Sequence, residues 1–135
     1  MKAIKNVRLR DYDYSEDGYY FVTICTDFKR PCLTGWNKKI VTLSIEQLPH
    51  QIDGLSLDYY QVMPTHLRLI LILEDCGTTL GEIVRRLKAA TTRKAGLKLW
   101  QPNYYEHVIR DEKALNTIRE YVQNNPLVEK LQLPL

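Results

Sequence analysis

The stretch from Tyr60 to Leu73, YQVMPTHLRLILIL, is the part of the sequence that most restricts the fold. With the residues before it, it forms two segments, LSLDYYQVM and HLRLILIL, which are rich in aliphatic and aromatic side chains. Such segments are typical of β-strands, and Pro64 favours a break between them. We therefore predict two strands, and one of them carries His66 and Arg68 in otherwise apolar surroundings.

Alternate residues of a strand point to opposite faces, so His66 and Arg68 are predicted to lie side by side on one face. The other face then consists of leucines that we expect to pack against helices: Leu67, Leu69, Leu71 and Leu73. A polar pair at the beginning of a strand has two interpretations, a half-exposed strand end without a role or part of a functional site. The residues alone leave both open.

The rest of the chain predicts further strands and helices. Residues 18–26, GYYFVTICT, are β-branched and aromatic, as in a strand. Residues 38–48 are ambiguous and could form a strand that runs into a short helix. Residues 78–96 predict a helix that starts with Thr79 and Glu82 at capping-box spacing.

Gly96 is predicted to end this helix. Residues 100–110 predict a loop that leads into a strand, and residues 111–126 predict a last helix that Pro126 ends. Mixed strands and helices in this order favour an α+β sandwich, with helices packed on one face of an antiparallel sheet. We expect residues 1–135 to form a single domain.

Composition restricts the class of protein. The chain is 44% hydrophobic and 26% charged, which is typical of a globular protein. Because no apolar run is as long as a membrane span and the first 14 residues do not resemble a signal peptide, we expect a cytoplasmic protein. The three cysteines, Cys25, Cys32 and Cys76, form no CxxC pair, so we expect neither a zinc site nor a disulfide.

The net charge of +3 is only mildly basic, but the charges are unevenly distributed. Residues 85–98 contain six cations and no acid: Arg85, Arg86, Lys88, Arg93, Lys94 and Lys98. Such a block is either a solvated helix face or a surface that binds a phosphate backbone. Charge alone does not choose between these interpretations.

Several segments resemble one family in the same order. MPTHLRLI is similar to the MPNHVHLL segment of IS200-like transposases, the single-tyrosine HUH endonucleases that include the REP-associated tyrosine transposases. Residues 10–35 resemble that family's opening strand, LGEIVRRLKAATTRK resembles its basic helix, and residues 99–126 resemble its Trp-Gln, Tyr-Glu-His and Tyr-Ile-x-x-Asn-Pro segments. The resemblance is weakest at residues 37–57. It implies a ferredoxin-like sandwich, an antiparallel sheet with two helices on one face.

In this family two histidines that flank a hydrophobic residue bind a divalent metal, Mg²⁺ or Mn²⁺. The first histidine matches His66, but the second position holds Arg68, and Thr65 stands where Asn is usual. A guanidinium has no lone pair for a metal and stays charged at physiological pH. Either the metal site has been lost, or Arg68 itself supplies positive charge to a phosphate.

The resemblance assigns the nucleophile to Tyr121, whose phenolate would attack a DNA phosphate. Asn125 matches a position that helps to hold the metal, and residues at i and i+4 share a helix face. Spacing alone would favour a packing role for Tyr121 beside Leu115 and Ile118. Tyr104 and Tyr105 are alternative nucleophiles, and His107 is expected to be structural or to contact DNA.

The partner implied by the resemblance is single-stranded or hairpin DNA, and the activity is the cleavage and rejoining of one strand during transposition. The predicted DNA-binding residues are Arg68, Arg85, Arg86, Lys88, Arg93 and Tyr104. Basic side chains would follow the backbone while aromatic rings stack on bases, and Trp100 could either stack or lie in the core. The family includes dimers and monomers, so a homodimer stays open.

Three hypotheses follow for function. The first is a strand-cleaving enzyme that works through Tyr121 and a divalent metal. The second is a catalytically degraded relative that binds a DNA hairpin without cutting it, because Arg68 has removed the metal. The third is an unrelated ferredoxin-like domain that does not bind nucleic acid, which five matching segments in order make hard to sustain.

Overall fold

The computed structural model describes residues 17–123. Four strands and three helices follow one another in the order β-α-β-β-α-β-α. They are β1 Gly18–Cys25, α1 Gly35–Gln51, β2 Leu55–Met63, β3 His66–Leu73, α2 Leu80–Ala95, β4 Tyr105–Ile109 and α3 Glu112–Gln123, with a short 3-10 turn, Asp27–Lys29, after β1. The two predicted strands on either side of Pro64 are therefore β2 and β3.

The strands form one four-stranded sheet in the order β2-β3-β1-β4, and all neighbours are antiparallel. β1 and β3 occupy the centre, where Cys25 pairs with His66 at one end and Gly18 with Leu73 at the other. This strand order and the first six elements are those of a ferredoxin-like fold. The predicted α+β class is confirmed.

Helices cover both faces of the sheet. α1 and α2 lie on one face, where the leucines of β3 contribute to the larger core as predicted: Leu67, Leu69, Leu71 and Leu73. α3 lies on the opposite face, where Leu115 and Ile118 pack on Phe21, Ile70 and Ile109. Two helices thus share one face, and a third helix adds a smaller core on the other.

Residues 38–48 form the one segment whose secondary structure the sequence left ambiguous. They belong entirely to α1, and no strand forms there. The buried residues recur at helical spacing, at Ile40, Val41, Ser44, Ile45 and Leu48, so one face of this helix is turned to the sheet. The β-branched residues favoured a strand locally, but packing of this face against the sheet decides for the helix.

The predicted ends of the other helices are confirmed where they are described. Thr79 Oγ1 accepts a 3.2 Å hydrogen bond from the Glu82 N–H at the start of α2. Gly96 ends that helix in the left-handed region, with φ 72°. Asp111 Oδ1 accepts a 2.7 Å hydrogen bond from the Ala114 N–H at the start of α3. Pro126 lies outside the described residues.

Between residues 17 and 123, no helix is long and apolar enough to cross a bilayer. The three thiols are free, with Cys25 and Cys76 buried and Cys32 partly buried.

Gly54 lies in the turn between α1 and β2, where the neighbouring backbone leaves no room for a side chain. Its φ is +84°, and a Cβ there would lie 2.5 Å from the carbonyl oxygen of Glu74. Gly96 has φ +72° but nothing within 4 Å of such a Cβ. We expect Gly96→Ala to lower the free energy of unfolding by about 1–2 kcal/mol, and Gly54→Ala to lower it more, because it adds a backbone clash. Urea unfolding of both variants measures the difference, and equal losses would contradict it.

Candidate functional site

His66 and Arg68 occupy the first and third positions of β3, on the face that α3 covers. They are only 6% and 7% exposed, so the interpretation as a half-exposed strand end is wrong. Thr65 Oγ1 lies 3.1 Å from Nδ1 of His66. A buried guanidinium and a buried imidazole need polar surroundings, which marks this part of the sheet as more than a packing surface.

α3 places Tyr121 directly over this strand. The guanidinium carbon of Arg68 lies 5.5 Å from the centre of the Tyr121 ring, within the range of a cation–π contact. One helical turn earlier, Ile118 belongs to the small core, and Tyr121 packs against the same core. Tyr121 therefore packs against the small core and also lies beside Arg68.

An ion pair holds α3 on the sheet. Arg119 Nε donates a 2.9 Å hydrogen bond to Asp58 Oδ2, and a second nitrogen of the same guanidinium pairs with Oδ1. Asp58 lies at the irregularity between Leu57 and Tyr59, where the register of β2 with β3 shifts. A bidentate pair of this kind fixes orientation as well as distance, so it helps to position Tyr121 two residues further along.

A row of polar side chains crosses the sheet beneath Tyr121. Gln61 of β2 and Thr23 of β1 pair with Arg68 on either side, and Tyr105 of β4 pairs with Thr23. Directly paired residues point to the same face, so the four side chains form one line, which we call the polar row. Burial raises the pKa of the Tyr105 phenol. The sequence did not reveal Gln61 and Thr23, because only the strand register brings them to Arg68.

The polar row also bears on the alternative nucleophile and on His107. Tyr105 lies in the row, on the same face as Tyr121, whereas Tyr104 lies in the core on the other face. His107 pairs with Phe21 beside the small core, and its pKa is lowered first by burial and second by Arg110. Of the two alternative nucleophiles, Tyr105 therefore lies on the same face of the sheet as Tyr121, and Tyr104 does not.

The described residues do not fit a divalent metal. Within the range 17–123, no group of three or more His, Cys, Asp or Glu side chains could hold one. The strand neighbours of His66 are Cys25 and Met63, and sulfur ligands do not suit Mg²⁺. Arg68 stands at the second predicted ligand position. Asn125, the other predicted ligand, lies outside the described residues.

The cations of α2 lie on the other layer of the molecule, because α2 packs on the face opposite α3. Arg85 and Arg86 are exposed and both bind Glu82, at 2.6 and 2.9 Å, and these hydrogen bonds lower the pKa of Glu82 to about 2. Arg93 is exposed near the end of the helix. Their role as DNA contacts stays a prediction, and the structure separates them from Tyr121.

Lys88 differs from the other cations of α2. Its Nζ donates hydrogen bonds to the backbone carbonyls of Gln101, at 2.8 Å, and Asn103, at 2.9 Å, and lies 6.0 Å from the centre of the Tyr104 ring. Burial lowers the pKa of Lys88 to about 8. Lys88 therefore fastens α2 to the loop before β4, in addition to any contact with a phosphate.

The aromatic residues predicted to stack on bases lie in the core. Tyr104 is 6% exposed, so almost none of its ring remains for a base, and the structure does not support that role. Trp100 is buried as well, and its Nε1 donates a 2.8 Å hydrogen bond to Thr91 Oγ1. Of the two interpretations of Trp100, the core position is the one observed.

The sequence did not reveal an exposed aromatic residue in the turn after β1. Phe28 is 84% exposed, and both Phe28 and Lys29 have positive φ, at 55° and 51°. The backbone of this turn is held by Thr26 N–H to Thr65 O, at 2.9 Å, and Asp27 N–H to Leu99 O, at 2.8 Å. The available signal was an aromatic side chain between charged residues, DFKR, directly after a strand.

Comparison with known proteins gives relatives over nearly the whole chain. A Haemophilus influenzae protein of unknown function is 36% identical over an alignment of 160 positions, gaps included, which covers 92% of this chain and 88% of the relative. The REP-associated tyrosine transposase of Escherichia coli is 28% identical over 120 residues, covering 84% of this chain and 73% of that protein. No protein-family model matches.

Solved structures agree. A REP-associated tyrosine transposase bound to a REP hairpin superposes with a TM-score of 0.76 at 25% identity, covering 90% of this chain and 73% of that one. The chain belongs to the IS200-like transposase family. A Deinococcus radiodurans protein described as a transposase shares the fold, with a TM-score of 0.60 at 22% identity over 87% of this chain and 96% of that one.

The lowered pKa of Lys88 predicts a pH dependence of stability. Between pH about 8 and 10.5, the unfolded chain holds this proton and the folded chain releases it, so the Lys88 contribution to the free energy of unfolding rises with pH. Below about pH 8 both states are protonated, and the cost of burying the charge is present in full. Urea unfolding of the wild type and Lys88→Met across this range should show a difference that grows in favour of the wild type. A constant difference would contradict the assignment.

Proposed function

We propose that this IS200-like transposase binds hairpin or single-stranded DNA and cleaves and rejoins one strand through Tyr121. The observation that carries the proposal is the position of the Tyr121 ring over buried Arg68, on the face that also holds His66. A phenol and a fixed cation side by side can attack and hold the same phosphate. The relative bound to a REP hairpin supports this class of DNA partner.

The proposed step is a transesterification. The Tyr121 oxygen, after losing its proton to solvent, bonds to the phosphorus, and the bond from phosphorus to the 3′ oxygen breaks. The products are a 5′-phosphotyrosine and a strand whose 3′ oxygen takes up a proton. Attack by a 3′-hydroxyl on the phosphotyrosine reverses the step, so the same chemistry rejoins DNA without an external energy source.

We include no metal in this step. The resemblance implies Mg²⁺ or Mn²⁺, and His66 would be one ligand, but Arg68 takes the place of the second. A guanidinium cannot coordinate an ion, and its positive charge opposes one nearby. The positive charge available at this position is therefore that of Arg68 itself.

We assign the path of the DNA strand to the turn that carries Phe28. This turn is hydrogen-bonded to Leu99, which follows α2, and to Thr65, which precedes His66. Lys29 and Lys98 are exposed beside it. A strand that crosses this turn can reach both the cations of α2 and the face that holds Tyr121, although the two lie on opposite layers.

A second candidate function is DNA binding without cleavage. The observation that favours it is the same Arg68, since it takes the place of the family's second metal-binding histidine. In that case the fold and the cations would bind a hairpin, and Tyr121 would only pack over Arg68. The two candidates differ in one product, a covalent link between protein and DNA.

A covalent-adduct assay tests the nucleophile. Wild-type protein incubated with hairpin-bearing single strands should give a protein–DNA adduct on a denaturing gel, and Tyr121→Phe should give none, because it lacks the attacking oxygen. Tyr105→Phe tests the alternative nucleophile: it should still give the adduct, but more slowly, because Tyr105 lies in the polar row beneath the same helix. An adduct lost only in Tyr105→Phe would contradict the assignment. Hairpin binding without any adduct would favour the second candidate.

A binding assay tests the exposed turn. Stacking of one base on an aromatic side chain contributes about 1–3 kcal/mol, so Phe28→Ala should weaken single-strand binding by about fivefold or more, while Phe28→Trp retains it. Fluorescence anisotropy at one fixed salt concentration measures the change. Leu43→Ala, which trims another exposed apolar side chain on α1, serves as the control. Equal behaviour of Phe28→Ala and Leu43→Ala would exclude a stacking role.

A further inference from the structure

We propose that the polar row, formed by Gln61, Arg68, Thr23 and Tyr105 beneath Tyr121, is a phosphodiester-binding site that replaces the family's metal site in this chain. The inference rests on the proposed function, because it names the groups that hold the phosphate attacked by Tyr121. It also makes its own prediction, that this face of the sheet binds phosphate without a divalent metal.

Two buried polar atoms in the polar row have no hydrogen bond to any residue of the range 17–123. Thr23, which is 6% exposed, has no partner for Oγ1 among the described residues, and the same holds for Oε1 of Gln61. A buried polar group without a partner costs about 1–3 kcal/mol, so two of them on either side of one arginine call for an explanation. A ligand that hydrogen-bonds to both is the explanation that their positions favour.

The chemistry of the polar row fits an anion. Arg68 offers a forked set of N–H donors, and the hydroxyls of Thr23 and Tyr105 each offer one O–H. The amide of Gln61 can present its NH₂ to the same ligand, because rotation about its terminal torsion exchanges the oxygen and the nitrogen. These donors lie side by side along the row, and N–H and O–H groups are what the non-bridging oxygens of a phosphodiester accept.

The charges around the polar row favour the same ligand. The row itself contains one cation and no carboxylate, and the next row toward the end of the sheet is Met63, His66 and Cys25. Asp58, the carboxylate on β2 that faces α3, is neutralised by Arg119. A divalent cation would meet a fixed positive charge here, whereas a phosphate would meet a matched one.

Stability and binding should respond in opposite directions when the neutral donors are removed. Thr23→Val and Gln61→Leu keep the shapes of the side chains and remove the unsatisfied atoms, so the free energy of unfolding should stay equal or rise. In the same variants the rate of adduct formation with a single strand should fall about tenfold or more, because each loses a hydrogen bond to a charged phosphate. If the polar row had only a structural role, a variant that keeps its free energy of unfolding would also keep its rate of adduct formation.

Ser44 provides the matched control. Its hydroxyl is also buried without a hydrogen bond among the described residues, but it lies on α1, on the opposite face of the sheet. Ser44→Ala should therefore leave both phosphate binding and adduct formation unchanged. Equal losses in Ser44→Ala and Thr23→Val would overturn the proposal, since they would reflect a general effect of buried hydroxyls.

Inorganic phosphate and EDTA separate this inference from the proposed function. In EDTA and at matched ionic strength, phosphate should raise the thermal midpoint of the wild type, and less so that of Thr23→Val or Arg68→Gln. Adduct formation by the wild type should survive EDTA. Stabilisation by phosphate without any adduct would support the polar row and overturn the cleavage step.

The remaining outcomes contradict the polar row. An adduct that forms only with Mg²⁺ or Mn²⁺ and is lost in EDTA would overturn it while leaving Tyr121 as the nucleophile. Equal phosphate stabilisation of the wild type and Thr23→Val would do the same. The last variant is Arg68→His, which should lose the stabilisation by phosphate. If this variant kept the full stabilisation, Arg68 would not be a phosphate-binding residue.

Discussion

The central strand β3 is covered on both faces, and the rest of the structure follows from this. Its leucines need one apolar layer, which α1 and α2 provide, and Ile70 needs another on the opposite face, which α3 provides. The sandwich of α1, α2 and the sheet could bury only one side. By closing the second side with Leu115 and Ile118, α3 also brings Tyr121 over the polar beginning of the same strand. The same helix therefore completes the smaller core and places Tyr121 at the candidate site.

Burial gives Arg68 its significance. A guanidinium at 7% exposure loses most of its hydration, and the structure offsets this in part with the Tyr121 ring. In such surroundings an incoming phosphate interacts with the charge far more strongly than it would at a solvated surface. The exposed arginines of α2 have the opposite character, since Arg85 and Arg86 share Glu82 and remain in water. They suit attraction of a DNA backbone, whereas Arg68 suits the holding of one group.

Sequence patterns predicted much of the fold and less of the site. The strands around Pro64, the caps at Thr79 and Gly96 and the last helix were readable, because each depends on neighbours close in the chain. The helical state of residues 38–48 was not, since it depends on packing against the sheet. Gln61 and Thr23 could not be connected to Arg68, because register is a property of paired strands and leaves no local signal. Tyr104 was predicted to stack on a base because it stands in a predicted loop. Its burial by Lys88 and the core depends on contacts between segments that are far apart in the chain, so the local sequence does not indicate it.

The separation of α2 from Tyr121 restricts how DNA can be handled. A duplex lying along α2 would stay on one layer, and the sheet would stand between it and Tyr121, the proposed nucleophile. A thin, flexible strand can pass over the end of the sheet, and the turn with Phe28 lies at that end, hydrogen-bonded to Thr65 and Leu99. A hairpin with a single-stranded extension has both parts, a stem for the basic layer and a strand for the face with Tyr121. For the proposed reaction, the architecture thus favours a substrate that is double-stranded in one part and unpaired at the site of cleavage.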